Sequence, residues 1–110
     1  MSAPLGIRVR RLTHRLELTY EDGRVISLPA ELLRVFPPAS PGQSGLIGGK
    51  RLVSLVAAAP VGTYALRLQF SDGFDSGIYS WDLLAELGRE QNIRWRRYLR
   101  LLEEAGLGRD

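Results

Sequence analysis

The stretch "SDGFDSGIYSW", Ser71 to Trp81, decides how the rest of the chain reads. Asp72-Gly73 bends the backbone, because glycine accepts the positive φ of a tight turn and a short Asp side chain can bond the backbone two residues on. Gly77-Ile78-Tyr79 extends the chain. Ser80 is a good helix N-cap, and Asp82 then falls in the first turn, facing the positive end of the helix dipole. Turn, short strand and helix start follow one another directly, so a β region gives way to an α region here.

Upstream, the patterns are those of strands. Ile7 to Leu12 reads as a first strand, and "LELTY", Leu16 to Tyr20, alternates apolar and polar residues as a half-buried strand does. Asp22-Gly23 separates it from "RVISL", a hairpin signal. Pro29 suits the first position of a helix, so "PAELLRVF" is expected to be a short helix ending before Pro37. Phe36 to Gly49, "FPPASPGQSGLIGG", is a Pro-, Gly- and Ser-rich loop, longer than most connections. "RLVSLVAAA" is expected as a largely apolar strand and Pro60-Val61-Gly62 as a turn. "TYALRLQF" alternates, placing Tyr64, Leu66, Leu68 and Phe70 on one face and Ala65, Arg67 and Gln69 on the other.

Downstream, the period changes to that of a helix. Leu83, Leu84 and Leu87 form one apolar stripe, which Gly88 is expected to break or weaken. A second helical segment is expected from Gln91 to Ala105, with Trp95, Tyr98, Leu99 and Leu102 facing the core and Gly106 as its C-cap. No internal repeat or low-complexity tract is evident. Strands first and helices last predict an α+β fold: a twisted antiparallel sheet with the C-terminal helices packed on one face, a two-layer sandwich. The 110 residues suit a single domain over 1–110, with its core over about 7–87 and its C-terminal helix over about 91–105.

Composition narrows the chemistry. The apolar fraction of 45% and charged fraction of 25% are those of a soluble globular protein. No apolar run approaches the ~20 residues that span a bilayer. "MSAPLGIRVRRLTHR" has no apolar stretch ahead of its charges, so a cytoplasmic location is expected rather than secretion. With no Cys, disulfides, thiolate metal sites and Cys nucleophiles are excluded. The only His, His14, lies in the bend between the first two strands and is assigned no role; a catalytic triad or a His-based metal site would hang on it alone. The net charge of +3 permits nucleic acid or an acidic partner without implying either.

Three groups of residues are candidates for function. Asp72 and Asp75 flank Gly73 and could offer oxygen to a hard cation, but the further ligands of a calcium loop are missing, and turn chemistry explains both more simply. Asp75, Tyr79 and Trp81, together with the Phe36 to Gly49 loop, make the expected interaction surface. Arg89, Arg96 and Arg100 share a helix face that could meet phosphates. Glu86, Glu90, Glu103 and Glu104 lie close by, Glu90 and Arg94 being an attractive i,i+4 pair, so a solvated mixed-charge face is the favoured reading. Trp81 and Trp95 read as core or interface anchors. "GQSGLIGGK" is no phosphate-binding loop, since Lys50 is followed by Arg51.

The segment "PVGTYALRLQFSDGFDSGIYSW" resembles the gamma-butyrobetaine hydroxylase-like N-terminal domain family. That family's pattern is a Pro-Val-Gly-x-Tyr-Ala segment, a strand, an Asp-Gly-His turn and a Gly-Ile-Tyr-Ser-Trp corner. They correspond here to Pro60 to Ala65, Asp72 to Phe74, and Gly77 to Trp81. "LELTYEDGRVISLPAELLRVF" is similar too, including Leu33-Arg34, so the resemblance covers Ile7 to Leu87.

The resemblance implies a compact α+β sandwich. In the hydroxylases the domain precedes an iron- and 2-oxoglutarate-dependent catalytic domain and binds zinc, through Cys residues just after the Leu-Arg and the His of the turn. Related domains stand alone or are fused to iron–sulfur cluster carriers of the P-loop type. Here Pro37, Ala39 and Phe74 fill the zinc positions, so neither zinc nor any other cofactor is expected, and Phe74 is expected to bury against the Phe36 loop. A facial triad needs two His, so hydroxylase chemistry is not expected. The expectation is a non-enzymatic accessory domain that binds another protein, with iron–sulfur cluster handling as the setting implied by the fusions. The alternative is nucleic-acid binding through Arg89, Arg96 and Arg100; an enzyme using Asp72 or Asp75 has least support, and no membrane partner is expected.

Overall fold

The computed structural model describes residues 3–38, 46–75 and 77–110. It is an α+β fold of two three-stranded antiparallel sheets and a long C-terminal helix. β1 (Gly6–Arg10), β2 (Arg15–Thr19) and β3 (Val25–Pro29) form one meander and lead into α1 (Ala30–Val35). β4 (Leu55–Val61), β5 (Ala65–Phe70) and β6 (Gly77–Ser80) form the second and lead into α2 (Trp81–Glu104). The α+β class and the packing of the C-terminal helix are as the sequence predicts, but the strands divide into two sheets instead of forming one.

The two halves repeat one another, although no internal repeat is evident in the letters of the sequence. Arg15 pairs with Pro29 and Leu18 with Ile26 in the first sheet, as Ala65 pairs with Ser80 and Leu68 with Gly77 in the second. Tyr20 N–H donates to the Arg24 carbonyl at 2.9 Å, and Phe70 N–H to the Phe74 carbonyl at 2.8 Å. Both turns are closed by the same Asx bond: Asp22 Oδ1 accepts from Arg24 N–H at 3.1 Å and Asp72 Oδ1 from Phe74 N–H at 3.2 Å. Gly23 and Gly73 take φ of 88° and 93° in these turns. The first amide of each helix reaches back to the residue before the middle strand, Ala30 N–H to the His14 carbonyl and Trp81 N–H to that of Tyr64.

Burial follows the same correspondence. Leu16, Leu18 and Tyr20 match Leu66, Leu68 and Phe70, and Leu28, Ala30 and Leu33 match Tyr79, Trp81 and Leu84; all twelve are buried. Both halves contribute to one main apolar cluster. The match also accounts for an oddity: the buried Tyr20 hydroxyl has no hydrogen-bond partner among the described residues. The position calls for an aromatic ring, and Phe70 fills its counterpart with no hydroxyl at all.

Several element boundaries differ from the sequence-based expectation. The fourth strand begins at Leu55, four residues later than expected, and carries on through Pro60 and Val61, so the turn falls on residues 62–64. Pro60 is tolerated because β4 is an edge strand, where a missing N–H need not break the ladder. Tyr64 therefore lies in the turn and is exposed, while Ala65, paired with both Val61 and Ser80, is fully buried. The two expected C-terminal helical segments are one helix, α2, which passes through Gly88 without a break. Gly88 is there for closeness: a Cβ on it would lie 2.7 Å from Cγ2 of Ile26 on β3. So α2 contacts β3 of one sheet and β6 of the other, and joins the halves. Leu99, expected to face the core, is partly exposed; Tyr98 and Leu102 carry the inner face, in a second cluster with Val35.

Past α2, Gly106 (φ 71°) reverses the chain and Leu107 N–H bonds the Leu102 carbonyl, a left-handed C-cap. The tail then runs beside residues 49–51, with Gly49 N–H donating to Gly108 and Arg51 N–H to Arg109. The Arg109 guanidinium makes two bonds, 3.0 and 2.8 Å, to the carboxylate of Glu31, the one buried charged residue among those described.

Candidate functional site

The β5–β6 turn meets the end of α1 in a corner that holds Phe74, one of the positions at which the resemblance implies a metal ligand. Asp72 sits in the turn with its backbone at the surface and its side chain turned inward, 19% exposed. Its Oδ2 is 2.8 Å from Arg34 Nε and 2.7 Å from Lys50 Nζ, while Oδ1 accepts from Phe74 N–H. Burial alone would raise the Asp72 pKa, but Lys50, the Phe74 amide and Arg34 together outweigh it and hold the carboxyl below its usual value. The Arg34 guanidinium also lies over the Phe74 ring, 4.4 Å from its centre.

Phe74 packs against Phe70 at 5.9 Å, and its ring edge fills the space above Gly77, where a Cβ would come within 2.8 Å. Of the Phe36 loop expected to bury Phe74, Phe36 itself packs edge-on against Tyr98, and residues 39–45 lie outside the described residues. The cation of Arg34 covers one face of the Phe74 ring. Two cations and an aromatic ring occupy the corner, and neither Pro37 nor Phe74 has a side-chain atom that ligates a metal. Ala39 lies outside the described residues. Zinc does not fit this set, and no group of three His, Cys, Asp or Glu gathers anywhere among the described residues.

The expected interaction surface is largely interior. Tyr79 is fully buried, and its hydroxyl donates to the Leu33 carbonyl at 2.6 Å, tying β6 to α1. Burial pushes its phenol pKa far above the ordinary tyrosine value. Trp81 is 8% exposed, and its indole N–H donates to the Thr63 carbonyl. Both are inward positions of the repeated unit, equivalent to Leu28 and Ala30, so they hold the corner together and offer no surface. Asp75 alone is exposed, leaning on Arg67, whose Nε donates to the Asp75 carbonyl at 2.7 Å. Asp72 and Asp75 thus turn to different cations and do not converge on one site. Of the Phe36 to Gly49 loop, residues 39–45 lie outside the described residues.

The α2 surface is where unengaged charge collects. Arg94 is bound by both Glu86 and Glu90 at 3.0 Å, the second being the expected i,i+4 pair. This takes the two acids out of play. Arg89, Arg96 and Arg100 are exposed, and none has an ion-pair partner among the described residues. Arg97 belongs with them, one turn from Ile93 and Arg100 on the same face; the helical spacing of the sequence already implies this. Ile93, Arg96, Arg97 and Arg100 surround a shallow hollow of about 240 Å3.

Beside it lies a more apolar cleft of about 270 Å3, with Val35, Phe36, Leu46 and Ile47 on one side and Arg94, Arg97, Tyr98 and Leu101 on the other. The Tyr98 hydroxyl donates to the Ile47 carbonyl at 2.6 Å and fixes one wall against the other. Arg97 borders both hollows. The cleft was not foreseen, because its walls come from α1, the loop after it and α2.

Comparison with known proteins places these features in context. The family model described as gamma-butyrobetaine hydroxylase-like, N-terminal, matches residues 7–85. No curated protein matches the chain. A protein whose structure was determined by NMR in solution is similar over 100% of this chain and 91% of its own, with 40% identity and a TM-score of 0.89. A second NMR structure is similar over 99% of this chain and 86% of its own, at 35% identity and a TM-score of 0.89. A crystal structure of a protein of unknown function from Acidithiobacillus ferrooxidans, placed in the DUF971 family, covers 77% of this chain and 91% of its own, at 39% identity and a TM-score of 0.69.

Proposed function

Because the chain belongs to the gamma-butyrobetaine hydroxylase-like N-terminal domain family, we propose that it is a non-enzymatic docking module that binds another protein in the cytoplasm. The observation that carries this reading is the unneutralised Arg face of α2 beside a preformed apolar cleft. Interfaces pair apolar anchors in pockets with charges that orient the partner. The titratable groups of the corner argue against chemistry. Asp72 is held by two cations, Tyr79 is sealed in the core, and no metal group is gathered among the described residues. Among the described residues no helix is long and apolar enough to cross a membrane. The family's fusions to iron–sulfur cluster carriers point to cluster handling as the setting.

The test is affinity capture of the full chain from native lysate, with and without nuclease, read by quantitative mass spectrometry. The docking reading expects at least one protein enriched over a mock matrix and retained after nuclease treatment. Enrichment that vanishes with nuclease would transfer the Arg face to nucleic acid, and enrichment of nothing would remove the docking reading. Zinc at one equivalent in the purified protein would overturn the metal-free part of it.

A further inference from the structure

This inference rests on the docking reading and names the site and the partner's chemistry. We propose that the surface centred on Arg97 binds an acidic segment of a protein carrying one large apolar side chain. The apolar side chain seats in the cleft beside Leu101, and neighbouring carboxylates meet Arg96, Arg97 and Arg100.

Four observations carry it. The cleft is apolar on its α1 side, through Val35, Phe36 and Ile47, and its opening is flanked by Leu101, a large apolar residue left 43% exposed. Its shape is set in advance by the Tyr98–Ile47 hydrogen bond and by Arg94, clamped by two glutamates and lying 5.5 Å from the centre of the Phe36 ring. Preformed pockets of this kind take an anchor side chain at little ordering cost. Arg97 then joins the cleft to a hollow with two further arginines, none of the three neutralised among the described residues.

The length of the cationic face selects the kind of anion. From Arg89 to Arg100 it runs about 16 Å at the helical rise. Past Arg100, exposed Glu103 and Glu104 close it at its C-terminal end on the helical wheel. A phosphate backbone continuing along the helix would run onto these two acids. A short acidic stretch meets only the arginines. Arginine also pairs with planar carboxylates through two parallel bonds, and exposed Ile93 between Arg89 and Arg97 gives the stems of acidic residues apolar surface to lie on.

A displayed library of short random peptides selected against the full chain tests this. The selected peptides should combine Asp or Glu residues with one Leu, Ile, Phe or Trp. A synthetic peptide from the selection should bind at least about tenfold more weakly to Arg97→Glu and to Leu101→Glu, a loss of about 1.4 kcal/mol in each case. Arg97→Lys should lose part of the binding, since an ammonium cannot make the paired bonds, and Arg8→Gln, exposed on the first sheet, should keep all of it. Unchanged melting temperatures for these exposed substitutions show that folding is not the cause.

Selected peptides without acidic residues, or binding indifferent to Arg97→Glu and Leu101→Glu, would overturn the site while leaving the docking reading intact. A single-stranded oligonucleotide that outcompetes the peptide and is lost in Arg97→Glu would overturn the partner's chemistry. Failure to select any peptide, with a nuclease-resistant partner still captured from lysate, would overturn this inference alone.

Discussion

Asp72 shows how much one residue's sequence neighbourhood reveals and where it stops. Its turn is legible: Asp-Gly after an aromatic residue calls for an Asx bond and a positive φ, and both are found. Its cations are not, because Arg34 is 38 residues away and Lys50 arrives from a separate turn. Nothing local in a sequence marks a pair that only the packed chain brings together. The Asp72 pKa lies below its unfolded value, so the pairing stabilises the folded state above that value, near 3.8, and the contribution is lost as pH falls through the lowered pKa. Asp72→Asn should therefore cost about 1 kcal/mol at neutral pH, the scale of a partly exposed ion pair with hydrogen bonds. In urea titrations the gap between variant and wild type should close in strong acid; a gap that stays constant as the carboxylates protonate would mean that the ion pairs contribute nothing.

At the scale of elements, patterning recovers most of the strands and both helices, and it errs where one element's sequence answers to another. Gly88 looks like a helix breaker read along its own segment. Against β3 it is a contact point, the place where α2 comes close enough to touch Ile26. Gly88→Ala sets a helix-propensity gain of about 1 kcal/mol against overpacking that typically costs 1–3 kcal/mol. A net destabilisation of about 1 kcal/mol is expected in chemical denaturation, and Ile26→Ala in the same chain should turn the substitution stabilising by making room. A Gly88→Ala chain as stable as its parent would show that β3 yields at no cost. The repeated unit is hidden in the sequence for a related reason. "LELTYEDG" and "LRLQFSDG" share two Leu, an aromatic residue and Asp-Gly in the same places, but the remaining letters differ, and only the matching ladders make the correspondence plain. The repeat then explains why Tyr79 and Trp81, conspicuous as aromatics, are core residues: they stand where Leu28 and Ala30 stand in the first half.

For the molecule as a whole, the sequence supplies the class of fold and its order, while the closure of the structure depends on contacts between distant parts. Each half is a meander built from neighbouring strands, and α2 bridges the two. The C-terminal tail adds the side-chain hydrogen bonds of longest reach among the described residues, Arg109 to Glu31, 78 residues apart. Hairpins form from near neighbours quickly, whereas a distant pair must wait for the chain between to be organised. The clasp therefore belongs to the end of folding and to the beginning of unfolding. In native-state hydrogen exchange, the Gly49 and Arg51 amides, held by the tail, should open with a smaller free energy than those of Leu18 and Leu68 in the central strands. Arg109→Ala should release the first pair further and leave the second unchanged. Equal protection for all four amides would mean that the tail and the sheets open as one. Otherwise the molecule has a hinge in time: a late-closing end that uncovers the carboxylate of Glu31 to water before the sheets yield.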